Sequence, residues 1–281
     1  MGMSNYDMLL RTVNERLDTE GPAQVVEMLQ EKTQEGDGAA ATILAQFYDQ
    51  GIGVFEDKER AIELYTFGMD CGVSEAAGFV GDLYRDGNGI EANDYLAFQC
   101  YSRGAGLGNI YCATQVAACY SEGKGTPKNN EAAIEWGTRA AKAGDASAAW
   151  SVADVLYTDY GKCKEAASWY EVALESFPDE MSIVGCLVEC LADPTHQSSV
   201  AHDQTDYAKA ADLCNRYLDK DTTGHIHLYL GLLYVDGKGV PRDVNVGHEY
   251  VVTAANKGNE AAKTALQFFR KTIFGQYVFQ W

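Results

Sequence analysis

The sequence has no long apolar run and few basic residues. No stretch approaches the roughly 18 consecutive apolar residues of a transmembrane helix. The opening residues, MGMSNYDMLLRTVNERLD, lack the basic segment and apolar run of a secretory signal. Lys and Arg number 22 against 41 Asp and Glu, a formal net charge of −19. Because nucleic-acid readers carry a basic patch and anionic membranes repel acidic proteins, we expect a cytoplasmic protein that binds neither nucleic acid nor a membrane.

Regularly spaced cysteines and catalytic signatures are also missing. The sequence has no Gly-x-Ser-x-Gly and no His-Glu-x2-His, so no recognisable nucleophile or zinc-protease motif is present. An oxidised repeat framework would place its cysteines at recurring positions, and these eight do not recur: Cys71, Cys100, Cys112, Cys119, Cys163, Cys186, Cys190 and Cys214. Buried, reduced thiols are therefore the default. We expect no enzyme, no cofactor and no bound metal.

The sequence does contain a Tyr-x2-Gly-x-Gly phrase that returns every 36 residues, with a last copy 114 residues after the third. Self-similarity at such a period indicates a stacked repeat architecture, which grows by adding units to one continuous core. The repeated residues are Tyr48, Gly51 and Gly53; Tyr84, Gly87 and Gly89; Tyr120, Gly123 and Gly125; and Tyr234, Gly237 and Gly239.

Each unit predicts a pair of helices. Leu44, Ala45 and Tyr48 share one face of the first helix, which ends at the Gly-x-Gly turn because glycine adopts backbone angles that cost other residues energy. The second helix ends at another periodic glycine, and this series consists of Gly72, Gly108, Gly144 and Gly258. A nucleotide-binding Gly-x-Gly follows a strand and opens a helix. These glycines end helices, so phosphate binding is not expected.

We predict one elongated domain made of five segments. Residues 1–37 form a capping helical pair and 38–146 form three regular repeats. Residues 147–224 form two degenerate helical repeats, with an exposed loop near 193–204 that follows a turn-forming Asp-Pro. Residues 225–259 form a final repeat, and 260–281 form a capping helix and an aromatic tail. Such caps keep the apolar ends of a repeat array from water.

These residues resemble the Sel-one-like repeat (SLR), a relative of the tetratricopeptide repeat. Its pattern is Ala-x3-Leu-Gly-x2-Tyr-x2-Gly-x-Gly-Val, then Asp-x2-Lys-Ala-x2-Trp-Tyr-x-Lys-Ala-Ala and a closing Gly. The last copy matches it with Leu230-Gly231, Tyr234, Gly237, Gly239-Val240, Asp243, Tyr250, Ala254-Ala255 and Gly258. The resemblance implies an all-α, right-handed α/α superhelical solenoid whose first helices line a concave face. It also implies an adaptor that brings together components of a complex.

The variable positions of the first helices are the candidate partner-binding residues. Positions two before and two after the large apolar residue, with the next exposed turn, give a polar strip of Thr42, Gln46, Asp49, Asp82, Arg85, Thr114 and Ser121. The last repeat offers an apolar set instead, Leu228, Leu232 and Val235. Two readings stay open for that set: the aromatic tail covers it, or it is an apolar hot spot for a partner.

Three functions are consistent with these features. The first is a non-catalytic adaptor or scaffold that binds a protein or peptide on the concave face, and the acidic charge favours a basic partner. The second is an acidic inhibitor or immunity-type protein that masks a basic effector or enzyme. The third is a metal- or small-ligand-binding regulator that uses the group Cys186, Cys190, Cys214, His196, His202, His225 and His227. His225 and His227 cannot share a helical face, because residues two apart do not face each other.

Overall fold

The computed structural model describes residues 4–88, 90–192, 206–272 and 275–279, and these residues form fifteen α-helices and one two-stranded sheet. The predicted all-α helical-repeat class is confirmed. The chain divides into two compact units, Met1–Ala148 and Ala149–Trp281. Gly89 and the predicted loop near 193–204 lie outside the described residues.

The first unit consists of helices that pack as successive pairs. Its helices are α1 Asn5–Glu20, α2 Pro22–Gln34, α3 Gly38–Gln50, α4 Lys58–Asp70, α5 Ser74–Asp86, α6 Asp94–Gly106, α7 Ile110–Glu122 and α8 Asn130–Lys142. The next helix, α9 Ala146–Thr158, begins in the last residues of this unit. The apolar residues of α1 and α2 join one core cluster with those of α3 and α4.

The repeated phrase forms the turn between the two helices of each regular pair. Gly51, Gly87 and Gly123 end the first helices in the left-handed conformation, as the sequence predicts. The second helix then begins at an Asp or Asn cap whose side chain accepts a backbone N–H of the first turn. The N–H of Asn93, for example, donates to the carbonyl of Tyr84 at 2.7 Å. Both ends of the turn are therefore satisfied locally.

The second glycine of the phrase meets the preceding pair of helices. A Cβ added at Gly125 would lie 2.1 Å from the carbonyl oxygen of Asp94, the first residue of α6. At Gly53 it would lie 2.8 Å from Pro22, the first residue of α2. Only a residue without a side chain allows such an approach. This glycine is thus a packing contact between repeats, in addition to a turn residue.

The second unit continues with helices of less regular length. Its elements after α9 are α10 Cys163–Ser176, α11 Met181–Ala192, α12 Tyr207–Tyr217, α13 His225–Asp236, α14 Val244–Asn256, α15 Glu260–Ala265, β1 Phe269–Lys271 and β2 Tyr277–Phe279. The glycine contact recurs here, since a Cβ at Gly239 would lie 2.1 Å from the carbonyl oxygen of Tyr207, the first residue of α12.

The C-terminal segment differs from the helix expected after residue 260. Helix α15 ends at Ala265, a short 3-10 turn follows, and β1 pairs antiparallel with β2, with Phe269 opposite Phe279. Packing accounts for the change, because the paired strands let Phe269, Tyr277 and Phe279 join one apolar cluster with α13 and α14. The sequence predicted an aromatic tail, and the structure gives it the form of a β-hairpin.

Candidate functional site

Thr42 is unavailable to a partner, which corrects its place in the predicted strip. It is fully buried, and its hydroxyl donates to the carbonyl of Gly38 at 2.8 Å. A Cβ at Gly68 of α4 would lie 2.1 Å from Thr42 Oγ1, so Thr42 lies at a close contact between α3 and α4. Counting positions along α3 alone placed Thr42 on the open face. The point at which two helices cross depends on the sequences of both helices, so α3 alone could not reveal this contact.

The other predicted residues of α3 bond to their own chain. Gln46 Nε2 donates to the hydroxyl of Tyr6 in α1 at 2.9 Å. Asp49 Oδ1 accepts from Lys58 Nζ, at the start of α4, at 2.7 Å. Both side chains are only half-buried, yet their polar atoms already have partners. The first regular repeat therefore offers little unengaged polar surface at these positions.

The predicted residues of α7 show the same pattern. Thr114 Oγ1 donates to Asp145 Oδ2 at 2.6 Å. Asp145 in turn accepts backbone N–H groups at the start of α9. Ser121 Oγ donates to the carbonyl of Ala118 at 2.9 Å. The polar atoms of these side chains therefore form hydrogen bonds within the chain and are not left unengaged at the surface.

Asp82 and Arg85 instead meet at the centre of a polar cluster that spans two repeats. Asp82 Oδ1 accepts from Tyr101 Oη at 2.7 Å and from Tyr111 Oη at 2.5 Å. Arg85 Nη1 lies 3.1 Å from the same carboxylate oxygen and donates to Gln115 Oε1 at 3.2 Å. We call Asp82, Arg85, Tyr111 and Gln115 the Arg85 cluster.

The Arg85 cluster is ordered and still accessible. The side chain of Arg85 is 39% exposed, and Tyr111 is 42% exposed. Hydrogen bonding to the Arg85 guanidinium lowers the pKa of the Asp86 carboxyl. Burial, reinforced by the bond to Asp82, raises the pKa of Tyr111 to about 12, so its hydroxyl stays a neutral donor. The cluster thus offers a fixed guanidinium beside an exposed aromatic ring.

Tyr111 and Gln115 were missed from the sequence. They lie four residues apart and so share one face of α7. Gln115 stands next to the large apolar Val116, a position that counting two residues to either side passes over. Their i, i+4 spacing on α7, the first helix of the repeat that follows Arg85, could have indicated them.

The apolar set of the last repeat is covered by the C-terminal hairpin. Leu228 and Val235 are 7% and 3% exposed. Together with Leu232 they pack against Phe269, Tyr277 and Phe279. These three residues are therefore corrected from candidate partner contacts to core residues. Of the two readings left open by the sequence, the structure agrees with the one in which the aromatic tail covers these residues.

Removing one aromatic ring of the hairpin should uncover this cluster. Tyr277 stacks on His248 with ring centroids 3.7 Å apart. We expect Tyr277→Ala to lower the free energy of unfolding by about 2 kcal/mol and to increase binding of a hydrophobic dye, as measured by urea unfolding and dye fluorescence. The control is Tyr160→Ala, since Tyr160 is exposed in the same unit. Equal effects of the two variants would contradict a covering role.

The cysteine–histidine group comes together only in part. Cys186 and His225 line one pocket of the second unit. Cys190 is buried, and burial raises its thiol pKa, while burial raises the pKa of Cys214 to about 12. In the described part of the chain, no three or more His, Cys, Asp or Glu residues are grouped so that they could hold a metal ion. His196 and His202 lie outside that part.

Glu189 also lines that pocket. Its Oε2 accepts from Tyr157 Oη at 2.6 Å, and its Oε1 lies 3.1 Å from His225 Nε2. Burial would raise the pKa of Glu189, but the hydrogen bonds from His225 and Tyr157 outweigh it, so the net pKa is lowered. The carboxylate is therefore ionised at neutral pH.

Helix pairs joined by capped turns and packed through glycine define a helical-repeat protein of the α/α class. The Sel1 repeat family model matches residues 38–70, 74–109, 110–145 and 227–259. The chain thus belongs to the Sel1-like repeat family, as the sequence resemblance implied. The stretch from 146 to 226 lies outside the matches, where the repeat phrase also disappears.

Solved structures share this fold. A protective antigen of uropathogenic Escherichia coli that displays an SLR fold is 24% identical, with a TM-score of 0.60. The alignment covers 92% of this chain but 54% of the antigen, so this chain spans about half of that protein. A Sel1 repeat protein from Oxalobacter formigenes is 22% identical over 86% of this chain and 95% of its own, with a TM-score of 0.58. A search of curated proteins finds no match.

The family places this chain among proteins that generally mediate protein–protein interactions through a fold that is typically non-catalytic. None of the helices in the described ranges combines the length and apolar character that crossing a bilayer requires.

Proposed function

We propose that the protein is an adaptor that binds a segment of a partner protein at the Arg85 cluster of its first unit. The observation that carries the proposal is the exposed Arg85 guanidinium, which is held between carboxylates of α5 and Gln115 of α7. Arg and Tyr are the side chains most enriched at the energetic centres of interfaces. A side chain that is already fixed loses less conformational entropy when a partner binds.

The Arg85 guanidinium, which lies beside the exposed ring of Tyr111, suits a partner segment with a carbonyl or carboxylate acceptor. The surroundings, however, are acidic: residues 1–100 contain 19 Asp and Glu against six Lys and Arg. Such a field favours approach of a basic partner and raises its association rate at low ionic strength. We therefore expect a net basic partner that places an acceptor group opposite Arg85.

The net charge of −19 also supports a second candidate function, an inhibitor that masks a basic enzyme or effector. The two functions differ in what binding does to the partner. An adaptor leaves the activity of its partner intact, whereas an inhibitor abolishes it. Assaying the captured partner with and without this chain separates them.

The adaptor proposal predicts that Arg85→Ala weakens partner binding. A tagged full-length chain is used to capture partners from the native host, and the affinity of the recovered partner is then measured by calorimetry at two salt concentrations. We expect Arg85→Ala to weaken binding about tenfold, because a charge-assisted hydrogen bond is lost. The wild-type complex should also weaken as salt rises.

The matched control is Arg60→Ala. Arg60 is 52% exposed and pairs with Glu63 three residues away, much as Arg85 pairs with Asp82, but it lies on the second helix of its repeat. Exposed ion pairs contribute little to stability, so both variants should unfold near the wild-type temperature. Equal affinities for wild type and Arg85→Ala would overturn the proposal, as would equal losses in both variants.

A further inference from the structure

A second candidate site lies wholly within the second unit, between α11 and the start of α13. It is a pocket of about 690 Å³ including the space open to solvent, and its lining includes Met181, Ser182, Gly185, Glu189, Thr223 and His225. Gly185 contributes no side chain, and a Cβ there would already lie 3.4 Å from His225 Cδ2. The missing side chain leaves the pocket open down to the level of Glu189.

The pocket is lined by two carboxylates, those of Glu189 and Asp221. Among the described residues that line it, none is Lys or Arg. Asp221 also borders it, but the Asp221 carboxylate is saturated by donors from Thr223, Gly224 and His227. Glu189 accepts from Tyr157, His225 and Tyr229 and is 21% exposed. A carboxylate offers about four acceptor positions, so Glu189 keeps acceptor capacity toward the pocket.

The remaining lining matches a long apolar stem with a small cationic head. Met181 and Ile226 supply apolar wall, while Ser182 and Thr223 carry hydroxyl groups. A guanidinium would need both oxygens of a carboxylate for its planar fork, and at Glu189 three hydrogen bonds already occupy most of the acceptor positions of the two oxygens. An ammonium is a compact charge with three donors that can be shared among one carboxylate oxygen and hydroxyls.

We propose that this pocket binds the ammonium group of a lysine side chain presented by a partner protein, with Glu189 as its counter-ion. The proposal rests on the adaptor function and extends it by a second contact point of stated chemistry. The lysine stem packs against Met181 and Ile226. The ammonium donates to Glu189, in a lining that also carries the hydroxyls of Ser182 and Thr223.

The test uses the full chain and three defined probes. The probes are the capped tripeptide acetyl-Gly-Lys-Gly-amide, the same peptide with norleucine in place of lysine, and n-butylamine. Binding is followed by NMR through the imidazole signals of His225, assigned with His225→Gln. We expect a saturable shift with the lysine peptide, none with the norleucine peptide, and weaker binding of n-butylamine.

Two variants locate the binding. Glu189→Gln keeps an acceptor for Tyr157 but loses the charge, and Ser182→Leu narrows the opening at an exposed residue without touching Glu189. Each should weaken the lysine peptide at least about tenfold, while Arg60→Ala, at an exposed residue outside both sites, should bind it as the wild type does. Absence of a saturable shift overturns the proposal, as do equal binding of norleucine and wild-type affinity in both variants. If n-butylamine bound more tightly than the peptide, the pocket would favour a free amine, and the proposal that it binds a lysine of a partner protein would be wrong.

The outcome is independent of the Arg85 cluster. If Arg85→Ala abolishes partner capture while Glu189→Gln does not, the lysine pocket is wrong and the adaptor function stands. If the lysine peptide binds but partner capture does not depend on Arg85, the pocket stands and the first-unit site is wrong.

Discussion

Replacing Gly125 with alanine should lower the free energy of unfolding of the first unit by about 3 kcal/mol. Two costs combine: a non-glycine residue in the left-handed region, here at φ 68°, costs about 1 kcal/mol, and overpacking adds about 2 kcal/mol. The overpacking arises because the new methyl group would lie 2.1 Å from a backbone carbonyl of α6. Urea unfolding followed by circular dichroism, with amide exchange of α6 and α7, measures the loss.

Gly123→Ala is the matched control in the same turn. Gly123 has a similar φ of 74°, but a Cβ there would meet nothing closer than 3.4 Å. We expect it to cost only the backbone term, about 1 kcal/mol. If both variants lose the same stability, the second glycine is only a turn residue and the inter-repeat contact is not energetically important.

The second large effect is expected from Asp221→Asn. Asp221 is 2% exposed, and its carboxylate accepts from two donors of Thr223, from Gly224 N and from the backbone N and ring Nδ1 of His227. An amide in its place would set an NH2 group against these donors. We expect a loss of about 3 kcal/mol, since breaking a buried charged network costs that much. Asp219→Asn, two residues away and exposed, should be neutral.

The same residue predicts a pH dependence. Burial would raise the pKa of Asp221, but hydrogen bonds from His227 and Thr223 outweigh it and lower the pKa below its ordinary value. A lowered folded-state pKa adds stability above the unfolded pKa of about 3.9 and loses it as pH falls through the folded value. Wild type should therefore lose stability below pH 4 more steeply than Asp221→Asn. Parallel acid-unfolding curves for the two proteins would contradict this assignment.

The sequence predicted the helix pairs well because their determinants are local. Gly51, Gly87 and Gly123 end helices through their own backbone angles, and Asp57 and Asn93 cap the next helices three residues away. Periodicity then repeats the same local solution. Such features need no knowledge of tertiary packing.

The candidate site was predicted less well because it depends on contacts between repeats. Arg85 reaches Gln115, 30 residues away, and the two meet only once α5 and α7 pack together. Thr42 is buried because Gly68 of another helix approaches it. The C-terminal strands were missed because a three-residue strand has no periodicity to read, and their pairing is set by packing on α14.

The glycine contact between repeats joins main chain to main chain at Gly125 and Gly239. The residue that each glycine contacts, at the start of a helix in the preceding repeat, is therefore not restricted to one side-chain type. Pro22, Asp94 and Tyr207 all occupy that position. Neighbouring repeats can diverge in sequence while the spacing between them is conserved. A repeat of this chain should accordingly tolerate duplication, deletion or exchange with another, provided that the second glycine is kept. The partner-binding surface could then change in length without a change in the joint between units.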